Sequence, residues 1–311
     1  MRVIRQSTDL QARGRKVCVA IGVFDGVHLG HQQVIRQTTT DAEQQEALAV
    51  VITFDRHPNA VVAPARTPDL IYSLAQKLRA IEALGADVTW LIEFDEAFSR
   101  RSADDFVRNL ARDFGHIHSV CVGSGFTFGH KRSGTVDFLR QLGKELHFIV
   151  HGLAAVALDG ETVSSTRIRD AIRNGQLDGA SQMLGRGYAL AGKVVRGEAL
   201  GKKLGFPTAN IDTTGLVVPP NGVYAAHAQV DGTRYRAAVN IGVRPTVAAT
   251  PAGRPRVEAH LLDFKGELYD CEMELTFVEK LRAERKFESV EALKLQIARD
   301  IQAARDLFGK T

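Results

Sequence analysis

The chain has 311 residues, 44% hydrophobic and 24% charged, which excludes a disordered or collagen-like polypeptide and suits two folded domains. Its 40 basic and 36 acidic residues leave a net charge of +4, too mild to argue for nucleic acid and compatible with small anionic ligands. Cys18, Cys121 and Cys271 stand far apart in apolar runs, which excludes a disulfide framework and predicts buried thiols in a reducing compartment.

The first residues, "MRVIRQSTDLQARGRK", lack the apolar core of a secretion signal, and no apolar run approaches a membrane span. A cytoplasmic protein with no membrane partner is expected. Apolar runs at Val17–Ile21, Leu48–Thr53, Val88–Ile92, Val120–Val122 and Leu146–Val150 predict buried strands. Helical patterns fall between them at Leu29–Gln45, Leu74–Ala83, Ala103–Phe114 and Val136–Gly143, with "SADD" at 102–105 capping the third. Such alternation predicts a parallel sheet covered on both faces, with ligands bound beyond the carboxyl ends of its strands. A further helix over "SSTRIRDAIRNG" ends at Gly175. From Tyr188 to about Arg282 the texture changes to short alternating runs: "YALAGKVV", "GVYAAHAQV", "TRYRAAVNIG", "RVEAHLLDF" and "CEMELTFVE". These predict a small antiparallel barrel or sandwich, closed by an amphipathic helix over 289–308. The domains are accordingly 1–185 and 186–311.

In the first domain, "VCVAIGVFDGVHLGHQQVI" reads as strand, tight glycine turn and helix. Gly22, Gly26 and Gly30 allow the turn and a close backbone approach, and the helix start offers N–H groups to a phosphate. His28 and His31 lie about one helical turn apart and can face the same anion. An HxxH pair alone reads as a capped helix with two solvated histidines; a two-histidine metal site lacks further ligands. "SSTRIR" at 164–169 alone reads as a helix cap with surface arginines.

Together, in this order, "GVFDGVHLGH" and "SSTRIR" resemble the two signatures of the nucleotidyltransferase superfamily in its flavin-adenylylating form. "VITFDRHP" and "VGSGFTFGHKRSG" resemble segments of the same family. The resemblance implies a Rossmann-like, doubly wound α/β domain that joins FMN to ATP, giving FAD and pyrophosphate. It implies His28 and His31 as catalytic residues. Nucleotide or phosphate binding is implied for Gly22, Phe24, Asp25, Gly26, Gly30, Ser164, Ser165, Thr166 and Arg169, and flavin contact for Phe54, Phe126 and Phe128. The family usually has an acidic or amide residue where this chain has Gly125, and often proline where it has Arg56.

In the second domain Thr208 and Asn210 alternate along "GKKLGFPTANI" and point the same way, two hard oxygen donors suited to Mg²⁺. Alone they read as the polar face of an ordinary strand, and Glu258 as a surface carboxylate. "GEALGKK" is no P-loop, because its spacer is short and no Ser or Thr follows the lysine pair. With "NIGVRPT", "VEAHLLDFKGELYD" and "LRAERKFESVEAL", however, "GFPTAN" resembles the riboflavin kinase domain. The resemblance implies that Thr208 and Asn210 hold Mg²⁺ and that Glu258 accepts the proton of the riboflavin 5′-hydroxyl. ATP phosphates are then expected at Gly201, Lys202, Gly205 and Pro207. The family usually has arginine where Leu200 stands and glycine where Asp270 stands. The resemblance spans about 16–308 and implies a bifunctional riboflavin kinase/FMN adenylyltransferase using riboflavin, FMN and ATP, with Mg²⁺ as cofactor and no nucleic-acid partner. The alternative is a catalytically impaired or single-activity homologue that binds flavin or nucleotide as a regulator.

Overall fold

In a computed structural model of the chain, residues 1–197, 201, 204–243 and 255–309 are described. The chain forms two compact units, Met1–Ser165 and Thr166–Thr311.

The first unit begins with β1 (Arg2–Ile4), β2 (Val17–Ile21), α1 (Leu29–Gln44), β3 (Leu48–Phe54), the short α2 (Asn59–Val62) and α3 (Leu74–Glu82). It continues through β4 (Val88–Ile92), the short α4 (Glu96–Ser99), α5 (Ala103–Phe114), β5 (Ile117–Gly123), α6 (Val136–Leu146) and β6 (Ile149–Leu153). A two-stranded ribbon, β7 (Ala157–Leu158) and β8 (Glu161–Thr162), follows. The sheet order is β1-β4-β3-β2-β5-β6, and every pairing is parallel. Both faces are covered, so β2 and β4 are buried at every residue and read as unbroken apolar runs.

Three local devices explain the helices. Ser102 caps α5 by accepting the Asp105 N–H at 3.0 Å, as "SADD" predicts. Ser73 and Gln76 form a reciprocal capping box at α3. Asp41, buried on the sheet-facing side of α1, accepts the Ser119 hydroxyl at 2.6 Å and lies 3.3 Å from His151 Nε2, which pins α1 to β5 and β6.

From β2 the chain moves to β3 on one side and later returns to β5 on the other. The carboxyl end of β2 is therefore the topological switch point, where open α/β sheets bind ligands. The turn from β2 to α1 lies there.

The second unit holds α7, which starts at the junction (Ser165–Arg173), α8 (Leu177–Leu184), six strands and a long final helix. The strands are β9 (Ala189–Val195), β10 (Ala209–Ile211), β11 (Gly222–Val230), β12 (Thr233–Gly242), β13 (Arg256–Leu261) and β14 (Glu272–Arg282). They close into an antiparallel barrel in the order β10-β13-β12-β11-β14-β9. The final helix, α9 (Val290–Gly309), lays Ala304 and Phe308 over Ala225, Ala238 and Leu262. Alanine at 225 and 238 leaves room for the helix, which is why the first half of β11 is buried on both faces.

The structure adds two elements and corrects two expectations. β1, at three residues, is too short to show alternation in the sequence. The segment 177–184 is helix, its amphipathic pattern masked by glycine and polar residues. The fifth predicted strand lies three residues later, at Ile149–Leu153, because His147 takes a left-handed conformation and ends α6 there. Cys271 is only half-buried, unlike Cys18 and Cys121.

Candidate active sites

Local physics shapes the turn after β2. Phe24 and Val27, neither of them glycine, hold positive φ angles of 51° and 41°. Such angles cost about 1–3 kcal/mol each and persist only where the surroundings enforce them. Gly26 also sits at φ 76°, and a Cβ there would press on Ile71 at 3.0 Å. The enforcing bonds are visible. The Asp25 carboxylate is buried and accepts the backbone N–H of Ile71 at 3.0 Å and of Tyr72 at 3.3 Å. Ser165 Oγ donates to the Asp25 carbonyl at 3.1 Å, bringing the start of "STRIR" to the turn.

This turn delivers the two histidines. His28 is the N-cap of α1, and its Nδ1 accepts the His31 N–H at 3.4 Å. The rings stack with centroids 3.6 Å apart. Phe24 packs edge-on against His31 at 5.3 Å. His28 is buried rather than solvated, which corrects the bland expectation of two surface histidines. With Nδ1 accepting, a neutral His28 carries its proton on Nε2, leaving that nitrogen as a donor. Gly30 makes room for the ring: a Cβ there would sit 3.2 Å from His28 Cε1.

Beyond β5 lies a cavity of about 300 Å³, lined by Ser124, Gly125, Phe126, Thr135 and Arg140 among others. A Cβ at Gly125 would meet nothing within 4 Å, so the missing side chain leaves open space. Phe126 stacks on Phe128 at 5.4 Å, Phe128 meets Phe106 edge-on, and the row continues through Phe98 to Phe54. The three predicted aromatics thus belong to one aromatic series, and all three also pack on the core.

Of the predicted residues in "SSTRIR", Ser164 and Ser165 are half-buried, Thr166 is exposed and Arg169 is buried. Thr166 and Arg169 fall in the second unit, on α7.

In the barrel, register places the predicted residues in one row. Asn210 on β10 stands opposite Glu258 on β13, and Glu258 stands opposite Asn240 on β12. Thr208 lies two residues before Asn210, just ahead of β10, and is half-buried. A Cβ at Gly197 would run into the Asn210 side chain, and one at Gly201 into the Phe206 carbonyl and the Thr208 hydroxyl. The backbone therefore wraps closely around both donors. Phe206 N–H closes a turn onto the Gly201 carbonyl at 2.8 Å, and His260 Nδ1 sits 2.8 Å from the Pro207 carbonyl. Gly205 and Pro207 are exposed, with Gly205 at φ 91°. Lys202, Lys203, Leu200 and the "RPT" of "NIGVRPT" lie outside the described residues. Asp270 adopts φ 65°, the left-handed conformation that glycine takes without steric cost and Asp more readily than most residues.

Sequence reasoning did not single out Asn240, which only the register across the strands places beside Glu258. It also passed over Lys77, which reaches from α3 to the backbone at the ends of β2 and β3. Among the described residues, no group of three or more His, Cys, Asp or Glu side chains could hold a metal, and no helix is long and apolar enough to cross a membrane.

Comparison with known proteins adds the decisive observation. Residues 10–167 match the FAD synthetase family and residues 184–308 the riboflavin kinase family. A bifunctional riboflavin kinase/FMN adenylyltransferase of Pseudomonas fluorescens is 37% identical over 99% of this chain and 98% of its own. The chain belongs to the bifunctional riboflavin kinase/FMN adenylyltransferase family. Its Escherichia coli K12 relative of the same name is 34% identical over 100% of this chain and 99% of that one. Among solved structures, one described as a macrolide-efflux protein from Streptococcus pneumoniae superposes with a TM-score of 0.82 at 27% identity. It covers 97% of this chain and 98% of that chain. This likeness extends to both units of the fold, the parallel sheet and the closed barrel.

Proposed function

We propose that the barrel transfers the γ-phosphoryl of ATP to riboflavin and that the parallel-sheet unit transfers the adenylyl group of ATP to the FMN so formed. The observation that carries this reading is the presence of two separate polar constellations, a histidine turn at a switch point and a Thr208–Asn210–Glu258 face, one in each compact unit. We take 1–185 and 186–311 as the working domains.

In the kinase step the riboflavin 5′-oxygen attacks the γ-phosphorus, the bond to the β-phosphate oxygen breaks, and ADP leaves. Glu258 takes the hydroxyl proton. The tight backbone around Thr208 and Asn210 and the hardness of their oxygens fit Mg²⁺, which these two residues would hold. The bound ion would neutralise charge on the triphosphate. Gly201, Lys202, Gly205 and Pro207 form the phosphate-covering segment in this reading, and Asn240 orients Glu258 from the neighbouring strand.

In the adenylylation step a phosphate oxygen of FMN attacks the α-phosphorus of a second ATP, and pyrophosphate leaves. No covalent enzyme intermediate is needed. His28 and His31 donate to the triphosphate as charge moves to the leaving group, assisted by Gly22, Gly30 and the start of α1. Phe24, Asp25 and Gly26 form the rigid frame of that turn. Ser164, Ser165, Thr166 and Arg169 complete phosphate binding, and the Phe54–Phe126–Phe128 series with the adjoining cavity receives the flavin.

Purified protein supplied with riboflavin, ATP and Mg²⁺ should yield FMN and then FAD by chromatography. Glu258→Ala should abolish FMN formation while FAD is still made from added FMN; His31→Ala should do the reverse. Equal loss of both steps in either folded variant would refute the assignment of two independent sites. Flavin and ATP binding by the wild type with no turnover would favour the regulator reading instead.

A further inference from the structure

Lys77 is the buried ammonium of the first unit, and nothing in the reaction scheme above uses it. It projects from the first turns of α3. Its Nζ donates to the Phe54 carbonyl at 2.6 Å and reaches the Val23 carbonyl at 3.4 Å. Phe54 is the last residue of β3, and Val23 lies in the turn that follows β2. One cation therefore ties the carboxyl ends of two adjacent strands at the switch point. Thr53 Oγ1 donates to the same Val23 carbonyl at 3.0 Å.

The neighbouring bonds have the same effect. Asp25, two residues beyond Val23, is gripped by the N–H groups of Ile71 and Tyr72, which lead into α3. The strained residues Phe24 and Val27 lie between and just beyond these anchors. The segment 71–77 thus braces the histidine turn twice, once through its backbone and once through Lys77. A buried lysine is an expensive way to hold a purely structural contact, since an apolar residue would fill the space without desolvating a charge. A strained turn that must present two histidines in one orientation gives that cost a reason.

We infer that Lys77 is a positioning residue for adenylyl transfer, fixing the turn that carries His28 and His31 against the end of β3. The inference rests on the reading of this turn as the adenylylation site. Two carbonyl oxygens converge on the Lys77 nitrogen, and the positive charge strengthens both bonds beyond what the neutral amine would make. The charges that face it are Asp25, from the turn, and Asp55, just beyond β3. Burial lowers the Lys77 pKa to about 8, against the pull of those two carboxylates, so the cation is lost within an accessible pH range.

The test is a pair of pH–rate profiles on the full-length protein, wild type and Lys77→Met, with FMN adenylylation and riboflavin phosphorylation measured separately. The expected result is a kcat for adenylylation lower by roughly 10- to 100-fold in the variant, with KM for FMN and ATP within about two-fold. The alkaline fall of the wild-type rate near pH 8 should vanish in the variant, and phosphorylation should be unaffected. A variant kcat within about two-fold of wild type, with the alkaline limb unchanged, would overturn the inference. If Lys77→Met does not fold, the wild-type profiles decide. A reversible alkaline fall in adenylylation kcat alone supports the role, and a kcat flat to about pH 9.5 overturns it. A wild type that makes no FAD at any pH overturns the functional reading, and this inference with it.

Discussion

At the scale of single residues, three positions make separate predictions. Burial lowers the folded-state pKa of Lys77 to about 8, against 10.5 for a lysine in water. Between those values the unfolded chain binds more protons, so this group makes stability rise with pH through that window and leaves its full penalty below it. Relative to Lys77→Met, wild-type stability should therefore improve by up to about 3 kcal/mol from pH 8 toward 10.5, measured by urea denaturation. Gly125 has open space around it, so Gly125→Asn should fold with an unchanged melting temperature. Its amide would add a donor to the cavity wall, and a several-fold lower KM for FMN in the adenylylation assay is expected. Burial raises the Cys121 thiol to about 12 and also raises that of Cys18, so in the folded protein an alkylating reagent should label Cys271 first, as mass spectrometry can show. The histidine pair was legible in the sequence because glycines and spacing mark it. Lys77 was not: a lysine in a helix looks the same whether it faces water or a pair of carbonyls 23 and 54 residues away.

At the scale of elements, periodicity located most strands and helices to within a residue or two, including β2, β4 and α5 at their observed ends. It failed where the pattern is short or the terminator is not glycine, as at β1 and at the His147 end of α6. It also could not show which strands are neighbours. The row Asn210–Glu258–Asn240 joins strands far apart in sequence and exists only once the barrel has closed. α9 is tied to the barrel where its Asp300 receives a two-pronged hydrogen bond from Arg282 of β14 at 2.8 and 2.7 Å. Asp300 is buried, so Asp300→Ala strands a guanidinium and should cost about 2–3 kcal/mol. Calorimetry should show the loss in unfolding of the barrel, and adenylylation should persist at temperatures where the barrel still holds.

At the scale of the whole molecule, the two units are built on different architectures. The first unit uses a parallel sheet whose strand ends gather loops at one edge, and the second a closed barrel with no free strand to offer. Each unit has its own core, so thermal unfolding should resolve two transitions. Riboflavin with ADP should raise one of them and leave the other in place. The bifunctional character was legible in motif order alone. The boundary was less so, because α7 and α8, between the two matched family segments, carry neither the parallel-sheet nor the barrel pattern.

The edge strand β1 has a consequence for synthesis. It pairs only with β4, Arg2 opposite Val88, whereas β2 and β3 follow one another closely and can zip together early. On the ribosome β1 emerges before β2 and β3 but must wait until β4 has been translated to find its partner. The order in which this sheet is made is not the order in which it can assemble, and slowed translation before Val88 would leave "RVI" unpaired for longest.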